Sequence, residues 1–342
     1  MILKRPEQFH GNSKKRPFFE GWYHKMSTSN GDTLVLIPGI YRSGVNSNET
    51  AFLMVYQGSN GHFDYIPYPA SDFNCESRDY SLFLGENYFS LNKIDLKVKT
   101  DKINLTGTIL SEDLKPWPVT LFEPGCMGWY SYVPTMECFH GILSMGHTLR
   151  GQIKLNDSNI NFDEGIGYIE KDWGKNFPKN WVWAQSNHFH ESDLSVSISL
   201  ATIPWKRSQF SGYIVGVQHK NNLYRFTPYR RSKITHIQFD GNSLEWHLKN
   251  GQTEVQFNIE RGSKSSLLYA PDETDMVPKV AEYLDGRVSC KLIIDGKTII
   301  KDQTNKAALE IIGDTDTPVS YTHLRAHETR HDRVCRLLLE KK

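Results

Sequence analysis

Apolar and polar residues alternate along much of the chain with a period of two. Leu194, Val196, Ile198 and Leu200 are separated by Ser195, Ser197 and Ser199, the pattern of a strand with one dry and one wet face. Strand-prone runs also cover residues 33–41, 51–57, 211–219 and 287–294. Between such runs stand Asn30-Gly31, Asn60-Gly61, Asp240-Gly241, Asn250-Gly251 and Asp295-Gly296. These pairs favour the primed turns that match strand twist, so each predicts a hairpin. Helical periodicity is poor; the best candidate is 275–284, with Pro278 in its first turn. The pattern predicts an all-β protein of antiparallel hairpins and meanders. The strands are too many for one small sandwich, and two barrels or curved sheets joined near 165–180 are the economical arrangement.

Composition narrows the class. The chain has 342 residues, 38% of them hydrophobic and 12% aromatic, with a formal net charge of +1. A near-neutral chain without a Lys/Arg block argues against nucleic acid as a partner. The N-terminus is polar after Leu3, and no run of 18 apolar residues occurs, so neither a signal peptide nor a transmembrane helix is expected. The five cysteines form no C-x-x-C pair. Reduced thiols, a cytoplasmic setting and no metal site are the expectation. Residues 319–342 carry no strand alternation and resemble the in-frame translation of a sequencing-library adapter. We therefore set this tail aside, with its His323, His327, His331 and Cys335. The expected organisation is an N-terminal β-domain over 1–165, a C-terminal β-domain over 166–318, and the adapter-derived tail.

Chemistry concentrates in residues 167–190, GYIEKDWGKNFPKNWVWAQSNHFH. Three tryptophans stand there beside Glu170 and Asp172, with little aliphatic filler. Buried indoles need partners for their N–H groups, and a carboxylate among them either loses solvation or finds a partner. Glu170 and Asp172 share one strand face, as do Trp181 and Trp183, and as do Glu20 and Trp22. His188 and His190 lack a clear third ligand for a metal. No phosphate loop, dinucleotide fingerprint or nucleophile elbow is present.

Three blocks carry a resemblance: FFEGWYHK (18–25), MGWYSYVPTMECFHGILSMGHTLRG (127–151) and GYIEKDWGKNFPKNWVWAQSNHF (167–189). In this order they resemble the tocopherol cyclase family, over residues 5–314. More distantly, the third block is similar to the carotenoid hydratases and related two-domain lipocalin-like proteins, whose acid-His-Asn-Trp-Gly motif takes the place of Glu170 to Gly174. The resemblance implies two lipocalin-like antiparallel β-barrel domains packed against each other. It also implies acid-catalysed closure of a prenylated hydroquinone or related terpenoid to a chromanol, without a cofactor.

Such a reaction needs a carboxyl group still protonated near neutral pH, aromatic faces for a cation, and a dry cavity. Glu170 is the first choice for the acid, followed by Asp172 and Glu20. Trp22, Tyr23, Trp173, Trp181 and Trp183 are expected to line the pocket, with His140 and Asn187 orienting the phenol oxygen. A hydrophobic substrate suggests a cavity opening near a lipid surface, although no strong amphipathic helix marks a docking site. Two other readings compete: a non-catalytic carrier of hydrophobic molecules, and an alkene hydratase.

Overall fold

The computed structural model describes residues 5–13, 15–205 and 208–313. The adapter-like tail lies outside them. Among the described residues the regular structure is strand, apart from four short 3-10 turns. None of the helices is long and apolar enough to cross a membrane. The strands form two antiparallel sheets of 12 and 10 strands.

The first sheet runs in the order Phe63–Pro69, Glu49–Gln57, Thr33–Arg42, Phe18–Ser27, Gly165–Gly174, Cys138–Leu155, Asn104–Glu112, Lys93–Lys99, Asn87–Ser90, Ser81–Leu84 and Phe73–Cys75. Ser158–Asn161 pairs beside Cys138–Leu155. The second runs Asn222–Phe226, Ser208–His219, Leu194–Trp205, Trp181–Ser186, Lys297–Ile312, Met276–Ile294, Thr253–Glu260, Ser243–Asn250 and Lys233–Phe239. Ser265–Pro271 pairs with Met276–Ile294. The chain changes sheet between Gly174 and Trp181, so residues 166–174, placed by the sequence reading at the start of the second domain, pair within the first sheet.

All five Asn-Gly and Asp-Gly pairs fall between consecutive paired strands. At the last of them, Asp295 and Gly296 have φ of 50° and 74°, the left-handed geometry that a primed turn demands. The expected helix at 275–284 is instead part of the long strand Met276–Ile294. Its apolar residues Val280 and Leu284 fit a helical spacing, but Ala281 and Glu282 pair with Leu267 and Ser266 of the neighbouring strand. Pairing on both sides overrides a weak local preference.

Each hydrogen-bonded path is open, yet each sheet curls round a core of its own. In the first, Trp22, Met26 and Leu36 meet Leu82, Phe89, Ile94 and Leu149 from the far half of the sheet. In the second, Leu194, Val196, Ile198 and Leu200 meet Trp246, Phe257 and Leu292. A third cluster lies between the sheets and contains Phe19, Tyr23, Phe52, Tyr168, Trp183, Val280 and Ala308. The result is the expected pair of lipocalin-like halves packed on one another.

This packing explains a departure from the simple strand pattern. Ser195 and Ser197, read as a wet face, are buried at 3% and 1% exposure. The Ser195 hydroxyl donates to the Met145 carbonyl oxygen at 2.5 Å, and Ser197 Oγ lies 3.1 Å from the Tyr168 hydroxyl. The serine face of this strand meets the other sheet instead of water.

An acid-bearing cavity between the sheets

A cavity of about 200 Å³ lies within the inter-sheet layer. The first sheet contributes Phe19, Gly21, Tyr23, Ile37, Phe52, Met54, Glu170 and Asp172, and the second contributes Trp181, Trp183, Ser199, Tyr213, Leu268 and Glu310. Met127, Tyr130 and Met136 come from the 113–137 connection, with Cys138 and His140 just beyond it. Behind the wall residue Phe52 the backbone is bare: a Cβ at Gly39 would stand 2.4 Å from the Phe52 ring and 2.6 Å from the Glu20 carbonyl oxygen. Only glycine permits that approach.

Side-chain alternation places the central acids. In Gly165–Gly174, Tyr168, Glu170 and Asp172 face the second sheet, whereas Ile169, Lys171 and Trp173 face the first core. Glu170 is 4% exposed. Its Oε2 accepts hydrogen bonds from the Tyr168 hydroxyl and from Trp183 Nε1, the latter at 3.1 Å. His140 holds the other side of the acid pair: Nδ1 lies 3.0 Å from Asp172 Oδ1 and Nε2 lies 3.8 Å from Glu170 Oε2.

Burial raises the Glu170 pKa to about 7. The nearby His140 pulls it down, Asp172 pushes it up, and the two hydrogen-bond donors favour the ionised form. Burial lowers the His140 pKa, but the charges of Asp172 and Glu170 outweigh it and bring the imidazole to about 9. At neutral pH the imidazole is therefore protonated while Glu170 exchanges its proton.

Two further acids enter from the second sheet, and neither was singled out in the sequence. Glu310 accepts a 2.6 Å hydrogen bond from Trp181 Nε1. Its pKa is raised to about 8, first by burial and further by the charges of Glu170 and Asp172. Glu282 stands opposite Glu310 in the strand register and is 0% exposed. It accepts a 2.6 Å hydrogen bond from the Tyr23 hydroxyl, and burial with the charge of Glu310 raises its pKa well above the usual range. Buried Lys25 donates to Gln185 Oε1 at 3.0 Å. Desolvation lowers that amine to about 8 against the pull of Glu282.

Several expected site residues lie elsewhere. Glu20 and Trp22 face the interior of the first curled sheet. Glu20 accepts the His10 backbone N–H, at 3.1 Å to Oε1 and 2.9 Å to Oε2, and pairs with Lys171. Trp22 stacks on Tyr80 with ring centroids 4.9 Å apart. Trp173 stacks between His10 and Phe139. Asn187 donates to the Gly167 carbonyl oxygen at 2.9 Å, a tie between the sheets. These four are corrections of placement: period-two alternation says which residues share a face, not which face meets the cavity. Glu170, Asp172, Tyr23, His140, Trp181 and Trp183 do line it.

His140, Glu170 and Asp172 present potential ligand atoms within 4.8 Å of one another. Glu170 Oε2 already accepts from Tyr168 and Trp183, and Asp172 Oδ1 lies at hydrogen-bonding distance from His140. The trio is a charge cluster in the cavity wall, with His140 and Asp172 hydrogen-bonded and Glu170 3.8 Å from the imidazole.

The fold and cavity define a two-domain lipocalin-like protein with acids at its domain interface. The chain belongs to the tocopherol cyclase-like family, whose profile matches residues 114–313. A probable chloroplastic tocopherol cyclase of Oryza sativa subsp. japonica is 26% identical over 208 residues, which is 57% of this chain and 44% of that protein. The chloroplastic tocopherol cyclase of Zea mays is 25% identical over 199 residues, 54% of this chain and 41% of that one. The chain thus spans less than half the length of these curated relatives. Among solved structures, CghA superposes with a TM-score of 0.60 at 8% identity, covering 93% of this chain and 94% of its own. An AttH-type protein of Nitrosomonas europaea superposes with a TM-score of 0.51 at 13% identity, covering 91% and 97%. At those identities the structural likenesses concern the fold alone.

Proposed function

We propose that the protein closes a prenylated hydroquinone, or a related prenyl-aromatic terpenoid, to a chromanol by acid catalysis. One observation carries this reading: Glu170, a carboxyl with its pKa raised to about 7, sits in a buried aromatic cavity. Membership of the tocopherol cyclase-like family supports it.

The reaction moves protons and needs no change of oxidation state. A wall carboxyl protonates the prenyl alkene, giving a tertiary cation. The phenol oxygen captures that cation, and its own hydrogen leaves to a wall carboxylate. The faces of Tyr23, Trp181 and Trp183 suit the cation, and the apolar wall keeps water from competing. His140 and Asp172 fit the orientation of the phenol oxygen. Glu170 takes part in the proton traffic.

Glu170→Gln preserves the shape of the side chain and a hydrogen-bond acceptor for Trp183. Chromanol formation by this variant is expected to fall by about 10²–10⁴-fold, with circular dichroism unchanged. Wild-type activity in the variant would remove Glu170 from the mechanism. In heavy-oxygen water the product should carry no label, since its ring oxygen comes from the phenol. Label in the product would mean hydration, and bound substrate that is never converted would mean a carrier.

A further inference from the structure

We infer that Glu310 is a second catalytic residue of this cavity, the proton donor to the alkene, and that Glu170 is the acceptor of the phenol proton. This rests on the cyclase reading above and divides its two proton transfers between two carboxyls.

The geometry begins with a pair of indoles. Trp181 and Trp183 project from the same face of Trp181–Ser186, and each serves one acid: Trp181 Nε1 donates to Glu310 and Trp183 Nε1 donates to Glu170. Trp183 is also the register partner of Glu310. Two acids from different sheets thereby border one cavity.

Their surroundings differ in kind. Glu170 has the partners of a group that must carry charge: two donors on one oxygen and the His140 imidazole 3.8 Å away, itself paired with Asp172. Glu310 accepts one neutral indole N–H and faces Glu282, another buried acid, across the register. Glu170 and Asp172 push the Glu310 carboxyl up and His140 pulls it down, while Glu282 has the Tyr23 hydrogen bond and the Lys25 charge beside it. Like charges crowded into an apolar site cannot all ionise, so of Glu170 and Glu310 the proton stays on the one with the weaker cationic support. The higher pKa of Glu310, about 8 against about 7, agrees with that order.

The step balances. The O–H bond of the Glu310 carboxyl breaks as the alkene π pair forms a C–H bond, leaving a tertiary cation and a Glu310 carboxylate. A lone pair of the phenol oxygen forms the C–O bond, and the phenol O–H bond breaks as its proton passes to the Glu170 carboxylate. After product release the proton returns from Glu170 to Glu310, directly or through water. No oxidant or reductant is consumed.

The test compares Glu310→Gln with Glu170→Gln, using a prenylated hydroquinone as the probe and infrared spectra of the substrate-free proteins. The wild-type kcat/KM should be bell-shaped, rising as the pair first ionises near pH 7 and falling near pH 8. Glu170→Gln should lose the acidic limb and keep the alkaline one on its residual rate. Glu310→Gln should lose turnover at every pH, and Glu310→Asp should recover part of it. At pH 7 the infrared band of an un-ionised carboxyl should be weakened in Glu310→Gln and kept in Glu170→Gln. A Glu310→Gln variant with the wild-type rate and bell, or a band lost with Glu170 instead, would overturn the assignment. Wild-type protein that makes no chromanol would overturn the cyclase reading, and the spectra would still judge where the proton resides.

Discussion

Glu20 and Glu170 are both buried acids on adjacent, directly paired strands, yet their surroundings prepare them for opposite tasks. Glu20 sits inside the first curled sheet with Lys171 as its ion-pair partner and a backbone N–H on its oxygens. Lys171 also donates to the Pro6 carbonyl oxygen at 2.9 Å and lies over the rings of Trp22 and Trp173 at 4.5 and 4.9 Å. Burial lowers the lysine pKa while Glu20 raises it. That pair is closed: each charge has a partner, and neither residue lines the acid-bearing cavity. Glu170 lies on the other side of the same two-strand ribbon, where the cation is an imidazole and the neighbours include Asp172. There the proton remains exchangeable. One ribbon thus carries an ion pair on one face and a cavity-lining acid on the other.

Breaking the closed pair should produce the largest effect on stability. Lys171→Met leaves Glu20 buried without its cation, and the expected loss is about 3–5 kcal/mol in urea unfolding. A loss below about 1 kcal/mol would show that the His10 backbone N–H alone supports Glu20 and would blur the comparison.

The open side should respond in the reverse direction. Glu310 binds its proton more tightly in the folded state than in an unfolded chain, since its pKa is raised from 4.5 to about 8. Its contribution is therefore fully present below pH 4.5 and is lost as pH rises toward 8. Glu310→Gln removes this loss. We expect it to be more stable than wild type at pH 8 by about 2–4 kcal/mol, with the advantage vanishing near pH 4. Parallel urea curves for both proteins at both pH values would contradict this.

A smaller effect is expected at Trp183. Trp183→Phe keeps an aromatic wall but removes the N–H that Glu170 accepts. The lost hydrogen bond to a charged acceptor is worth about 1.5–3 kcal/mol at most. The acidic limb of the rate profile should move to higher pH, because the ionised form loses support. A limb that stays in place would place the influence of Trp183 in packing alone.

Much of this site was legible from alternation. Glu170 and Asp172 share a face, as do Trp181 and Trp183, and a period of two fixes both facts. The swap of faces at Glu20 and Trp22 has a physical cause. Phe18–Ser27 is buried along nearly its whole length, with a barrel core on one side and the sheet interface on the other. A strand with no wet face gives no polar marker for the functional side. The serines of Leu194–Trp205 misled for the same reason, being polar residues that meet protein. Glu282 was hidden by the helical spacing of its segment, and Glu310 by standing alone in the apolar run AALEII. A carboxylate in such a run is itself a signal, since burying one without a partner is costly.

The central claim is that a carboxyl hydrogen from the cavity wall ends on carbon in the product. Conversion of a prenylated hydroquinone in heavy water measures this directly by mass spectrometry and NMR. The account predicts a chromanol with one non-exchangeable deuterium per molecule, on the carbon next but one to the ring oxygen. Chromanol without carbon-bound deuterium, or substrate recovered unchanged from a stoichiometric complex, would contradict it.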